Sequence, residues 1–129
     1  MPRASVIPEL PYDDIRAAVS WLCEAFGFTL RLQIANHRAQ MNAGDGAVVL
    51  VERDRDDRSA YSVMMRVENV DAQYERAVHH GAKGLRPPAD YPYGERQSTV
   101  LDLAGHRWTF SQTIADIDPT EWGGTPGTL

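Results

Sequence analysis

Two stretches of the chain carry a helical rhythm. Ile15, Ala18, Val19, Leu22 and Phe26 recur three or four positions apart and form one apolar stripe. Asp13 or Asp14 can cap its start by accepting from free backbone N–H groups. Gly27 can end it, because glycine takes the left-handed conformation without steric cost. The spacing predicts a helix over 13–26. Val70, Tyr74, Ala77 and Val78 repeat the pattern, with Asn69 or Asp71 as the cap and Gly81 as the stop. His79 and His80 fall in the last turn, where partial positive charge suits the negative end of the helix dipole.

Around the helices the pattern shortens to strand-length segments bounded by turn residues. Val6–Leu10 precedes the first helix. Phe28–Ile34, Arg38–Asn42 and Ala47–Glu52 follow it, separated by Asn36-His37 and Gly44-Asp45-Gly46. Ser62–Val67 precedes the second helix. A proline-broken stretch Leu85–Pro92, a strand near Gln97–Leu101 and a strand Arg107–Ser111 follow, with Asp102-Leu103-Ala104-Gly105-His106 as the last hairpin. The order strand, helix, three strands therefore occurs twice, with a period of about 55 residues. Leu10–Ile15 matches Met65–Val70 in pattern. This predicts an α+β fold of two βαβββ modules, at about 5–52 and 61–112, in a single domain over 1–113. The linker Glu52–Ser59 alternates in charge and reads as a solvated connection. A tail, 114–129, carries Trp122 as its large side chain.

The length of 129 residues suits one domain. With 13 basic and 18 acidic side chains the net charge is −5. That argues against a nucleic-acid partner, which a basic surface would recruit, and gives no reason to expect an anionic membrane. No apolar run approaches the roughly 20 residues of a membrane span. Met1–Pro8 lacks the long apolar core of a secretory leader. Cys23, the single cysteine, cannot form an internal disulfide. Together these features point to a reducing cytoplasm, with Cys23 as a packed thiol.

The doubled module, Tyr93-Gly94-Glu95-Arg96-Gln97, the segment Asp102–Phe110 and Val67-Glu68-Asn69-Val70-Asp71-Ala72 resemble the vicinal oxygen chelate superfamily. That family comprises glyoxalase I, extradiol dioxygenases, and fosfomycin- and bleomycin-resistance proteins. The resemblance spans residues 5 to about 113 and is nearest to the glyoxalase-like or bleomycin-resistance-like branch. Asp102–His106 resembles the family's penultimate hairpin, with Leu103 at a position usually held by proline. The resemblance implies that each half curls a mixed sheet into part of a cup. Paired halves, within one chain or swapped between two, enclose a small-molecule cavity. Metal-dependent relatives place His or Gln near the start of the first strand of each half and Glu on a later strand of each half. By position these fall on Ile7, Ser62, Thr109 or its neighbour, and a residue of Ala47–Glu52. The first three are not ligands of that kind, and Glu52 alone is too few donors for a catalytic ion. No metal or other cofactor is therefore expected.

Alternation along the strands then selects the cavity-facing side chains. Ser5, Ile7 and Glu9 stand opposite Val6, Pro8 and Leu10; Ser62, Met64 and Arg66 stand opposite Val63, Met65 and Val67. Arg107, Thr109 and Ser111 stand opposite Trp108 and Phe110. The candidate ligand-binding residues are Glu9, Ser62, Met64, Arg66, Arg107 and Thr109. Tyr93 of the Tyr91–Tyr93 rim loop and His106, bordering the last strand, join them. Arginine forks bind carboxylate or phosphate at two points. Glu9 could hold an amine, act as a base, or pair with an arginine as structure. His37 and His106 lie in turns, where a histidine is usually solvated or hydrogen-bonded to the turn; His106, bordering the last strand, is the better functional candidate of the two. The expectation is a metal-free, small-molecule-binding homodimer without nucleic-acid or membrane partners. The alternatives are a lyase, isomerase or dioxygenase-type enzyme using Glu9 as base or a displaced metal site (Glu9, Glu52, His106), and an interaction module with no ligand.

Overall fold

The computed structural model describes residues 4–125 and residue 127; residues 126, 128 and 129 of the expected tail lie outside the described residues. Helix α1 spans Ile15–Phe26. Asp14 is its cap and accepts from the Ala17 N–H at 3.0 Å. Gly27, at φ 76°, carries the chain out of the helix. Helix α2 spans Val70–His79, with Asn69 accepting from the Ala72 N–H at 3.0 Å. Eight strands complete the fold: β1 (Glu9–Tyr12), β2 (Thr29–Ile34), β3 (Arg38–Ala43), β4 (Gly46–Glu52), β5 (Ser62–Arg66), β6 (Lys83–Tyr91), β7 (Glu95–Leu101) and β8 (Arg107–Thr113).

They form two four-stranded sheets with the same order, β1-β4-β3-β2 and β5-β8-β7-β6. In each, the first pair is parallel and the others antiparallel. This is the expected α+β class with its doubled module.

Two boundaries depart from expectation, both through proline. β1 begins at Glu9, and Val6, expected in the core, is 81% exposed. Pro8 and Pro11 have no N–H to give, so pairing with β4 starts late and Pro11 sits on an edge strand. Conversely, the stretch read as proline-broken is a nine-residue strand. Pro87 and Pro88 occupy a register shift between Arg86 and Ala89 on the edge strand of its sheet, where a missing donor is tolerated.

Each sheet turns one face inward to a shared core. Leu10, Met41 and Leu50 of the first half join Val100, Trp108 and Phe110 of the second in one cluster. Phe26 is the hinge pin of that core. Its ring meets Phe28, Trp108 and Phe110 edge-on at 5.5, 5.2 and 5.0 Å.

A polar knot closes the other end. Asp102, in the β7–β8 hairpin, accepts from Tyr12 Oη at 2.6 Å, Trp108 Nε1 at 3.0 Å and the backbone N–H groups of Ala104 and His106. Burial and the Asp102 charge push the Tyr12 phenol above its ordinary range, which keeps it a donor. Arg53 of the linker donates to the carbonyls of Pro11 and Ser59. Among the described residues the two sheets share no hydrogen-bonded edge and are not closed on one another. No helix among the described residues is long and apolar enough to cross a membrane.

Candidate functional site

The face of each sheet turned away from the core is the place to look for chemistry, because core packing does not dictate its side chains. Residues directly opposite each other in paired strands point to the same side. In the second sheet, Ser62 pairs with Arg107, Met64 with Thr109 and Arg66 with Ser111. Opposite β8, Leu101 pairs with Arg107, Thr99 with Thr109, Gln97 with Ser111 and Glu95 with Thr113. Their alternates, Val63, Met65, Trp108 and Phe110, belong to the core or pack against it. Ser62, Met64, Arg66, Arg107 and Thr109 therefore share one outer face, as strand alternation had placed them.

That face is hydrogen-bonded into a lattice. Ser111 Oγ donates to Glu95 Oε1 at 2.8 Å, and Gln97 Nε2 donates to Ser111 Oγ at 3.0 Å. Tyr93 Oη donates to Gln97 Oε1 at 3.2 Å. Thr99 and Thr109 hydroxyls meet at 3.0 Å, and Arg66 donates to Thr113 Oγ1 at 2.8 Å. Met64, 65% exposed, stands open beside this lattice on the edge strand β5.

At one end of the lattice Tyr93 stacks on Tyr91, with centroids 5.4 Å apart. Trp122, from the short helical turn Pro119–Trp122, meets Tyr93 edge-on at 5.5 Å. The tail reaches there because the N–H groups of Ile114 and Ala115 both donate to the Gly94 carbonyl. Gly94 sits at φ 83°, and a β-carbon there would run into the Ala115 carbonyl. Burial, Tyr91 and Glu95 all raise the Tyr93 phenol above its ordinary value.

Two candidates lie elsewhere. Glu9 is on the outer face of the first sheet, beside Val49, and is 3.7 Å from Arg38. It does not meet Arg66 or Arg107 within the chain. His106 is fully buried. Its Nδ1 accepts from the Tyr61 N–H at 3.0 Å and its Nε2 donates to the Pro11 carbonyl at 2.7 Å. Both nitrogens are engaged by backbone, so the ring ties the hairpin to β1 and offers a ligand nothing. His37 bonds Glu52 at 2.8 Å in its turn.

A groove of about 1120 Å³ runs between the halves, past the β3–β4 hairpin and β5, and takes in Met64 and Arg66. The positions expected for metal ligands do not fit an ion. Ile7 is apolar, Ser62 and Thr109 are hydroxyls, and β4 turns Ala47, Val49 and Val51 to the outer face. Glu52 pairs with Tyr12 on the other side. Among the described residues no three His, Cys, Asp or Glu side chains converge.

β6 adds Lys83, opposite Leu101, and Arg86, opposite Thr99, to the same face; sequence reasoning placed neither these two nor Glu95, Gln97 and Thr99 there. Alternation was carried along the first and last strands of the second half but not along β6 and β7. The prolines in β6 hid the register that would have placed them.

Residues 6–110 match the family model "Glyoxalase/Bleomycin resistance protein/Dioxygenase superfamily". Among solved structures, TioX from Micromonospora sp. ML1 is similar over 84% of this chain and 98% of its own, with 32% identity and a TM-score of 0.76. Lactoylglutathione lyase from Agrobacterium tumefaciens is similar in fold at 16% identity, over 86% of this chain and 94% of its own, with a TM-score of 0.69. An uncharacterized protein from Mycobacterium bovis is 30% identical over 60 residues, which are 46% of this chain and 40% of that protein. This matched stretch is thus well under half of the relative's length.

Proposed function

The chain belongs to the Glyoxalase/Bleomycin resistance protein/Dioxygenase superfamily, and from that premise we propose that it is a small-molecule binding protein acting as a cytoplasmic homodimer without a divalent metal. The observation that carries this reading is the outer face of the second sheet. It gathers donors, acceptors and one exposed thioether on neighbouring strands, and it lies outside the apolar core of the chain. Such a surface suits a ligand recognised at several polar points beside an apolar contact. Leu32 and Ile34 of β2, at 46% and 53% exposure, leave apolar surface on the first sheet as well. A second copy covering these faces would complete the cup that one chain leaves open. Ser62, Met64, Arg66, Arg107, Thr109 and Tyr93 would then line it from one subunit and Glu9 from the other.

Light scattering on the full chain tests the dimer. A thermal-shift screen of small molecules, with and without chelator, tests the binding. We expect a dimer and ligand shifts that are insensitive to chelator and lost in Met64→Glu. A monomer that shifts only with Zn, Ni, Mn or Fe overturns the reading.

One observation favours a second reading. Glu95, at the Tyr91–Tyr93 end of the face, accepts from the Ser111 hydroxyl and has no ion pair among the described residues, which leaves it freer to act as a carboxylate base than Glu9, held near Arg38. A metal-independent lyase or isomerase would therefore lose turnover in Glu95→Gln while still binding its substrate.

A further inference from the structure

The outer faces concentrate positive charge in a protein that is negative overall. Of the 13 basic side chains, Arg31, Arg38, Arg66, Lys83, Arg86 and Arg107 reach these faces. Of the 18 acids only Glu9 and Glu95 do. The remaining acids lie on helices, turns, the linker and the tail or point to the other side of a sheet. This separation of sign is not what a net charge of −5 would scatter by default.

Three of the cations cluster. Lys83 and Arg107 flank Leu101 in one row across β6, β7 and β8. Arg86 stands in the next row, beside Thr99 and Thr109. Two strand spacings separate the outer two by about 10 Å, within the combined reach of two such side chains. Among the described residues, none of the three has an ion pair or a side-chain hydrogen bond. The nearest acid on the face, Glu95, is two rows away and is taken by Ser111. The other basic groups are matched: Arg66 by Thr113, Arg38 by Glu9, Arg31 by Gln40.

We infer that the ligand is an anion, with a carboxylate, sulfonate or phosphate group set among Arg107, Arg86 and Lys83 and the Thr99 and Thr109 hydroxyls. Its apolar or aromatic body lies along Leu101 towards Met64. Unpaired cations held side by side repel, and an anion relieves that repulsion while taking two-point bonds from the guanidinium forks. This assignment rests on the binding face proposed above and adds the charge of what it binds.

A matched pair of dyes separates the two claims. 8-Anilinonaphthalene-1-sulfonate and N-phenyl-1-naphthylamine share one aromatic skeleton, and only the first carries a sulfonate. On the full chain we expect saturable fluorescence from both, with the sulfonate binding about tenfold more tightly, the size of one charge-assisted bond. In Arg86→Gln/Arg107→Gln that preference should vanish while the neutral dye binds as before. Arg55→Gln, in the linker, should change neither. Displacement by benzoate or by inorganic phosphate would support the anion and tell carboxylate from phosphate chemistry. Equal affinity for the two dyes, both blocked by Met64→Glu, would overturn the anion and leave the binding face standing. Failure of both dyes to bind, or binding indifferent to Met64→Glu, would overturn both claims. Circular dichroism of each variant guards against misfolding as the cause.

Discussion

Helix α1 buries Ile15, Ala18, Val19, Leu22, Ala25 and Phe26, whereas α2 buries Val70 and Ala77. The strands divide in the same way. β4 buries Ala47 through Leu50 in succession, while β5 alternates exposed and half-buried positions along its length. One strand order, used twice, therefore serves two ends. The first half supplies most of the apolar anchor. The second half borrows that anchor through Phe26 and is left free to carry polar chemistry on its outer face. Duplicated modules need not share the work of stability equally, and the half with less to bury is the one with room for recognition.

The largest blow to this division is Phe26→Ala. It removes the ring that joins the α1 core to Trp108 and Phe110. Large-to-small truncation at such a site costs about 3–5 kcal/mol. Urea unfolding should show that loss, and tryptophan fluorescence should show the two halves coming apart. A loss below about 1 kcal/mol would mean that the second half is stable on its own terms.

Asp102→Ala comes next. It strands the Tyr12 hydroxyl and the Trp108 indole N–H without their acceptor. Several buried bonds broken together predict a cost of about 2–4 kcal/mol. Binding to the outer face should survive once the variant is folded, because the knot lies on the core side. If Asp102→Ala leaves stability intact and abolishes binding, the knot belongs to the site and not to the scaffold.

The fold was legible because its signals are local. Apolar spacing, the Asp14 and Asn69 caps and the left-handed Gly27 are all written within a few residues of the element they define. Half of the outer face was legible too, since alternation along β5 and β8 needs only a correct first residue. The rest depended on partners far away in sequence. Nothing near His106 says that its ring will be spent on Tyr61 and Pro11. Nothing near Pro87 and Pro88 says that an edge strand will absorb them. Proline reads as a break wherever its missing donor would matter, and only the sheet order shows that here it does not.

Ser98→Ala should move stability the other way. The Ser98 hydroxyl is buried on the core side, opposite Phe110, and among the described residues it has no hydrogen-bond partner. An orphaned buried hydroxyl is a desolvation cost without return, so its removal should raise stability by about 0.5–1 kcal/mol. A fall in the urea midpoint would mean that the hydroxyl is satisfied in solution. The polar character of the second half would then extend into its core.

The smallest effect concerns how the lightly buried α2 is held to its sheet. Arg96 of β7 donates to both oxygens of Asp71, at 3.0 and 2.9 Å, and to Asp90 at 2.9 Å. Hydrogen bonding from Arg96 holds the Asp71 carboxyl below its ordinary value. A group with a lowered folded pKa contributes stability above its unfolded value, near pH 4, and loses it as pH falls through the folded one. Native chain and Arg96→Gln should therefore differ in urea midpoint at pH 6, and the gap should close on acidification below about pH 4. Because the pair is exposed, the gap at pH 6 should also shrink in high salt. A gap that ignores both pH and salt would mean that Arg96 holds α2 through the packing of its stem. The second half would then rest on apolar contact even where its helix buries least.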